Sequence, residues 1–219
     1  MRRNGRRLLP ETVLALVFGL LVLAEPFHVP LIDPDEGRYA EIPREMLASG
    51  DYVIPHQNGL VYLEKPPLAY WLVAGSFRLF GETEGAARLP GQLATAGTML
   101  ALFLFARRRA GERAGALAAL FFGGSLLGFG LARIVLIDPL LTAAQTSAVL
   151  AFAALAEADA GSRRASRVPV IVFAVSAAAA VLLKGLVGVV LPGGAIVLWS
   201  FVTGRWGPFR RGARTIAIV

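Results

Sequence analysis

The chain has 219 residues, of which 56% are hydrophobic and only 17% charged, with a formal net charge of +7 and a mean hydropathy of +0.62. Soluble domains carry about one-quarter charged residues, so this composition excludes an ordinary soluble fold and points to an integral membrane protein. The absence of cysteine excludes a disulfide framework, a thiolate metal site and a cysteine nucleophile.

Crossing roughly 30 Å of hydrocarbon takes about 20 apolar residues in a helix, because backbone polar groups in lipid must pair within their own segment. Six stretches meet that requirement approximately: 12–31, 86–106, 114–132, 139–157, 168–183 and 186–203. The predicted fold is an all-α polytopic bundle. Before the first stretch stand Arg2, Arg3, Arg6 and Arg7; Arg107, Arg108, Arg109 and Arg113 follow the second; Arg163, Arg164 and Arg167 follow the fourth; Arg205, Arg210, Arg211 and Arg214 follow the sixth. Fifteen of the 22 basic residues thus fall on one face. By the positive-inside rule that face is cytoplasmic and the N-terminus lies there. The first stretch is an uncleaved anchor, since no small-residue cleavage site follows it. Split into four short clusters without interleaved aromatics, the same basic residues give no nucleic-acid surface.

Between the first two stretches runs a segment, 33–85, that holds nine of the 15 acidic residues. A charge cluster of that density between membrane spans is where chemistry is expected. Within it, PPLAYWLVAGSFRLF (66–80) is apolar, but making it cross would push the later arginine clusters outward. It is therefore expected as a re-entrant or interfacial helix, with Tyr62, Tyr70 and Trp71 at headgroup depth. Pro43 should break or restart the helix of AEIPREML. His28 and His56 are too far apart in sequence to suggest a metal pair. Glycines 123, 124, 193 and 194 lie inside apolar helices, where they favour close packing rather than a phosphate loop. A further apolar run starts near 215 and breaks off at Val219, so the chain is expected to be the N-terminal part of a longer protein, or a truncated one.

In order, DPDEGRYAEI (33–42), GLVYLEKPP (59–67), ARIVLIDPLLT (132–142) and LLKGLVGVVLP (182–192) resemble the GT-C glycosyltransferases that use polyprenyl-phosphate sugars. The resemblance is to the aminoarabinose transferases of lipid A, with protein O-mannosyltransferases more distant. It implies a GT-C transmembrane domain whose catalytic loop is 33–85. It also implies an undecaprenyl-phosphate-like sugar donor, a lipid A, glycolipid or protein acceptor on the outer face of the inner membrane, and no nucleotide as direct donor.

The residues themselves fit such chemistry. Sugar transfer from a lipid phosphate needs a carboxylate to take the acceptor's proton and cations to stabilise the departing phosphate. Asp35 matches the family's base; the structural alternative is capping of a helix beginning near Gly37. Arg38 and Tyr39 follow one turn on, and Lys65, Arg133 and Lys184 supply the other outer positive charges. The resemblance places Lys65 and Lys184 on the lipid phosphate and Arg38 and Tyr39 beside it; snorkelling is the alternative for Lys184. Asp138 corresponds to an acidic residue bordering the cavity and also suits a helix start before Pro139. Glu64 occupies the family position associated with a divalent metal, whose second ligand would lie beyond Val219, or it simply pairs with Lys65 or Arg38. No cofactor is required otherwise. The rival reading is a transporter or flippase in which Asp138, Arg133 and Lys184 form a charge relay; a third is an inactive truncated homologue.

Overall fold

The computed structural model describes residues 10–24, 30–32, 34–160 and 167–207. The arginines at 2–7, 163–164 and 210–214, His28, Asp33 and the run from 215 lie outside the described residues.

Helix α1, Pro10–Leu23, opens on proline at a position where a missing N–H costs nothing, with Glu11 in the first turn facing the positive end of the dipole. Helix α2, Asp35–Ser49, ends at Gly50, whose φ of 75° lets its N–H reach the Met46 carbonyl at 2.9 Å. The break expected at Pro43 does not occur: α2 runs through it. Proline removes the bond to the Tyr39 carbonyl, but the packing of Ile42 and Met46 against Tyr70 holds the helix on both sides.

A hairpin absent from the sequence expectation follows. Strands β1, His56–Gln57, and β2, Leu60–Val61, pair antiparallel around Asn58-Gly59, which have φ of 53° and 74°. Asn-Gly at positive φ is the pairing that a two-residue hairpin turn demands. Helix α3, Leu68–Phe80, then buries Ala69, Tyr70, Val73, Ala74 and Phe77 and leaves Leu72, Leu79 and Phe80 exposed. Its 13 residues span about 20 Å, short of a bilayer crossing.

Helix α4, Glu84–Ala110, is capped by Thr83, whose hydroxyl accepts the Ala86 N–H at 3.2 Å, and ends in Arg107, Arg108 and Arg109. The stretch expected as one span over 114–132 is two helices, α5, Glu112–Gly123, and α6, Leu126–Leu131. They part at Ser125, whose hydroxyl caps the new helix by accepting the Gly128 N–H at 2.9 Å. Helices α7, Asp138–Ala160, α8, Arg167–Lys184, and α9, Val187–Thr203, complete the described bundle. Among the described residues, α4, α7 up to residue 158 and α8 are long and apolar enough to cross a membrane; α1, α3 and α9 are apolar but shorter.

Helix α4 is the hub, packing against α1, α3, α5 and α7, while α8 lies along α7 and α9. Exposed Leu14, Leu20, Val190 and Phe201 show that the bundle's outer faces are apolar as well, as lipid-facing surfaces must be. The hairpin of α4 and α5 needs glycine at 115, where an added Cβ would stand 2.7 Å from the Phe103 carbonyl and 2.9 Å from the Arg107 Cβ. Gly123 is likewise closed against Met99, whereas among the described residues an added Cβ at Gly193 meets only the Val189 side chain of its own helix, at 3.9 Å, and one at Gly194 meets nothing within 4 Å.

Replacing Gly115 by Leu should lower the melting temperature of the purified protein, by the roughly 1–3 kcal/mol that overpacking costs. Gly97→Leu, on the neighbouring helix α4 with nothing within 4 Å of its added Cβ, should leave it nearly unchanged.

Candidate active site

Asp35 is the first residue of α2 and presents a side chain 61% exposed. Its one partner among the described residues is Arg38, a turn later, with Nη1 at 3.9 Å from Oδ1. That separation is at the edge of an ion pair, so the carboxylate is free to take up another group. Capping does not explain it: Asp35 lies inside the helix, and the residue at the cap position is Pro34.

Arg38 is tied to the loop that follows the hairpin. Its guanidinium donates to the Tyr62 hydroxyl, which holds the Arg38 proton more firmly than usual, with smaller help from Asp35 and Glu64. Tyr62 in turn donates to Glu64, and Lys65 Nζ stands 3.1 Å from the other Glu64 oxygen. These two contacts, Tyr62 first, hold the Glu64 carboxyl below its ordinary range. Burial and then the Glu64 hydrogen bond push the Tyr62 phenol up. Tyr39 stacks on Tyr70 at 6.2 Å between centroids, and burial, followed by the Asp35 charge, raises its phenol too. Asp35, Arg38, Tyr39, Glu64 and Lys65 therefore share one corner, with Tyr62 as the link that the sequence reading left at headgroup depth. Its place two residues before Glu64 in GLVYLEKPP was the available signal.

Asp138 and Lys184 border that corner. Lys184 Nζ donates to Asp138 Oδ1 at 2.7 Å, joining the start of α7 to the end of α8. Tyr39 packs among Ile137, Leu141 and Leu183, which brings this pair beside α2. Arg133 points elsewhere: it donates to the carbonyls of Leu21, at 2.7 Å, and Ala24, at 3.1 Å, and lies 4.6 Å over the Phe129 ring. A cation at those carbonyls satisfies the C-terminal end of α1. Among the described residues no three potential ligands gather for a metal ion. Glu64 is already held by a hydroxyl and an ammonium, a poor beginning for a cation site.

Sequence reasoning missed the deepest pair of all. Glu36, completely buried, receives Arg88 in a two-pronged contact, Nε to Oε1 and Nη2 to Oε2, both 2.9 Å. Each carboxylate oxygen also accepts a backbone N–H: Ile32 to Oε2 and Val135 to Oε1, both at 2.8 Å. Burial pushes this carboxyl up, but the Arg88 hydrogen bond and the two backbone donors together outweigh it, and the net shift is downward. Arg88 Nη2 reaches the Pro30 carbonyl at 3.1 Å as well. Five places in the sequence, 30, 32, 36, 88 and 135, are locked together.

A multi-helix, apolar bundle that gathers Asp35, Arg38, Tyr39, Glu64 and Lys65 at a charged corner defines a multi-pass membrane protein. The sequence pattern of the dolichyl-phosphate-mannose-protein mannosyltransferase family matches residues 64–211, and the chain belongs to that family. It is 36% identical over 194 residues to the undecaprenyl phosphate-alpha-4-amino-4-deoxy-L-arabinose arabinosyl transferase of Edwardsiella ictaluri, covering 88% of this chain and 35% of that one. With the Pseudomonas aeruginosa protein of the same name it is 37% identical over 183 residues, covering 83% and 33%. The solved ArnT of Cupriavidus metallidurans bound to undecaprenyl phosphate superposes with a TM-score of 0.81 at 33% identity, covering 95% of this chain and 39% of that one. The apo form gives 0.78 at 34% identity, covering 95% and 38%. The chain thus spans about a third of the length of the curated relatives it matches. The fold is GT-C and the protein is membrane-embedded and multi-pass.

Breaking the Glu36–Arg88 contact should cost about 3–5 kcal/mol, since Arg88→Met leaves a buried carboxylate without its countercharge. The acid limb of stability checks the assignment. Because the folded pKa of Glu36 lies below its unfolded value of about 4.3, its stabilisation is complete above that pH and is lost as pH falls through the folded value. Thermal melts between pH 3 and 7 should show a shallower acid decline for Glu36→Gln than for the wild type.

Proposed function

We propose that this chain carries the donor-side part of a membrane glycosyltransferase that moves a sugar from a polyprenyl phosphate to an acceptor hydroxyl. The observation that carries the reading is the exposed, weakly paired Asp35 standing one turn from Arg38 and in the same corner as Lys65. The relatives' names support undecaprenyl phosphate as the lipid and a 4-amino-4-deoxy-arabinose, a pentose, as the sugar. A lipid A acceptor, in an inner membrane with the Asp35 corner on the outer side, is the reading those relatives and the arginine pattern favour.

In this mechanism Asp35 takes the proton from the acceptor hydroxyl as that oxygen bonds to the anomeric carbon. The carbon–oxygen bond to phosphate breaks, its electron pair leaving with the phosphate, and Lys65, Arg38 and Lys184 stabilise the charge that develops there. One displacement inverts the anomeric configuration. Tyr62 positions Arg38 through its hydroxyl, and Tyr39 packs beside the corner against the apolar residues next to Asp138 and Lys184. The transporter reading finds less support: Arg133 is committed to the carbonyls of α1, and the Asp138–Lys184 pair sits at helix ends instead of along a path through the bundle.

Asp35→Asn keeps the size of the side chain and its place in the first turn but cannot accept a proton. Transfer from an undecaprenyl-phosphate donor, assayed in the complete protein, should fall about 10²- to 10⁴-fold at unchanged membrane abundance. Glu41→Gln, which loses only a surface contact with Arg44, should be near wild type. Wild-type transfer by the Asn variant would remove Asp35 from the chemistry.

Orientation has its own measurement. An impermeant thiol reagent added to intact cells should label Val53→Cys, on the exposed loop before the hairpin, and not Ser162→Cys between α7 and α8. The reverse pattern would put the Asp35 corner in the cytoplasm.

A further inference from the structure

The ion pairs of the site are of two kinds. Glu36 and Arg88 are almost wholly buried and bound by further hydrogen bonds, so neither can leave. Asp138 and Lys184 are 43% and 32% exposed, and each is the other's sole polar side-chain partner among the described residues. An exposed pair of this sort is worth little and exchanges readily. It lies beside Tyr39, which packs against Ile137 and Leu183, the neighbours of the pair, and feels the charges of Asp138 and Arg38 alike. In this state each of the three cations assigned to the phosphate has a carboxylate at hand: Arg38 has Asp35, Lys65 has Glu64, Lys184 has Asp138. Glu64 is restrained by Tyr62 and Asp35 is only loosely engaged, so Asp138 is the carboxylate whose pairing a phosphate must displace.

We propose that Asp138 is a positioning residue, an internal anion that competes with the lipid phosphate for Lys184 and thereby governs donor capture and product release. The inference rests on the phosphate site proposed above. Before transfer the lipid phosphate is a diester with one negative charge. When the bond to the anomeric carbon breaks and its electron pair stays on oxygen, the product is a monoester carrying about −1.5 to −2 at neutral pH, by analogy with other phosphate monoesters. Fixed cations alone would therefore hold the product more tightly than the donor. Asp138, tethered next to Lys184 at high local concentration, reclaims the lysine and lets the product go. Without the chemistry, the same competition lowers the affinity for any phosphate by the fraction of time Lys184 spends paired.

The test compares undecaprenyl phosphate binding to the wild type, Asp138→Asn, Lys184→Ala and the double variant, in nanodiscs. Asp138→Asn should tighten binding roughly two- to fivefold, the range an exposed ion pair is worth. Lys184→Ala should weaken it by about tenfold or more, and the double variant should behave as Lys184→Ala, because the competitor matters only when the lysine is present. In turnover Asp138→Asn should lower KM and kcat together, with stronger inhibition by added undecaprenyl phosphate, a split that mere loss of structure does not produce. Asp138→Ser, which keeps a good helix-start residue, should reproduce the direction if the Asn variant fails to accumulate. Unchanged or weaker binding in the Asp138 variants, with Lys184→Ala still impaired, overturns the competition and leaves the phosphate site standing. No effect of Lys184→Ala overturns the phosphate site and the competition with it.

Discussion

The placement of the charged corner depends on one buried contact, the forked pair of Glu36 and Arg88. Each oxygen of Glu36 receives one guanidinium nitrogen and one backbone N–H, so the carboxylate is saturated by three separate parts of the chain. The segment before α2, the first turns of α2 and α4, and the loop before α7 are thereby fixed relative to one another. A buried pair is weak evidence for net stability, because desolvation consumes most of the attraction. Its consequence here is geometric: this arrangement of the four segments gives each oxygen of the carboxylate two donors. Apolar packing around it, with Ala40, Val73, Phe77, Ala87 and Val135 in one cluster, would tolerate small slips that the fork does not.

This constraint explains why a site made mostly of exposed side chains can be definite. Asp35 is adjacent in sequence to a residue that cannot move, and Arg38 and Tyr39 lie within one turn of it on the same rigid helix. The second half of the corner, Glu64 and Lys65, comes from the loop after a short hairpin held by its Asn-Gly turn, by the Trp71 indole donating to the Tyr52 carbonyl at 2.7 Å, and by the Gly59 N–H reaching Glu45 at 3.2 Å. Fixed elements thus carry half-exposed charges. The proposed exchange of a lipid phosphate calls for that combination, accessible charged groups on supports that stay in place.

The class of the protein was legible in its apolar composition, and most helices in the lengths of the apolar runs, because lipid allows few other solutions. The charged loop and the residues Asp35, Arg38, Tyr39, Glu64 and Lys65 were legible as a group, since the family's order of short motifs survives in it. Three features were not. Pro43 looked like a helix breaker because sequence shows the lost hydrogen bond and hides the tertiary packing that outweighs it. The run 114–132 looked continuous because Gly124 and Ser125 are apolar or small enough not to interrupt hydropathy, although Ser125 starts a new helix by capping it. Arg88 could not be paired from the sequence, since its partner lies 52 positions earlier and such a distance carries no local signal. The hairpin was visible in Asn58-Gly59 and was overlooked amid the charges around it.

The Glu36–Arg88 lock also bears on the competing roles first open to Asp35. A helix beginning at residue 35 needs acceptors for its first N–H groups and something to fix the chain that enters it. Here the Glu36 N–H donates to the Ile32 carbonyl at 3.1 Å and the Arg38 N–H to the Pro34 carbonyl at 3.3 Å. The Glu36 side chain meanwhile reaches back to the Ile32 N–H, as the acidic residue of a capping box does. The work of securing the helix start falls to Glu36 and the backbone. The Asp35 side chain is left with no hydrogen bond to a described residue and a carboxylate in the open, where its structural return is limited to a first-turn place at the positive end of the helix dipole and a long contact with Arg38. In a neighbour pair with one member fully committed and the other uncommitted, the uncommitted carboxylate is the one available for proton transfer.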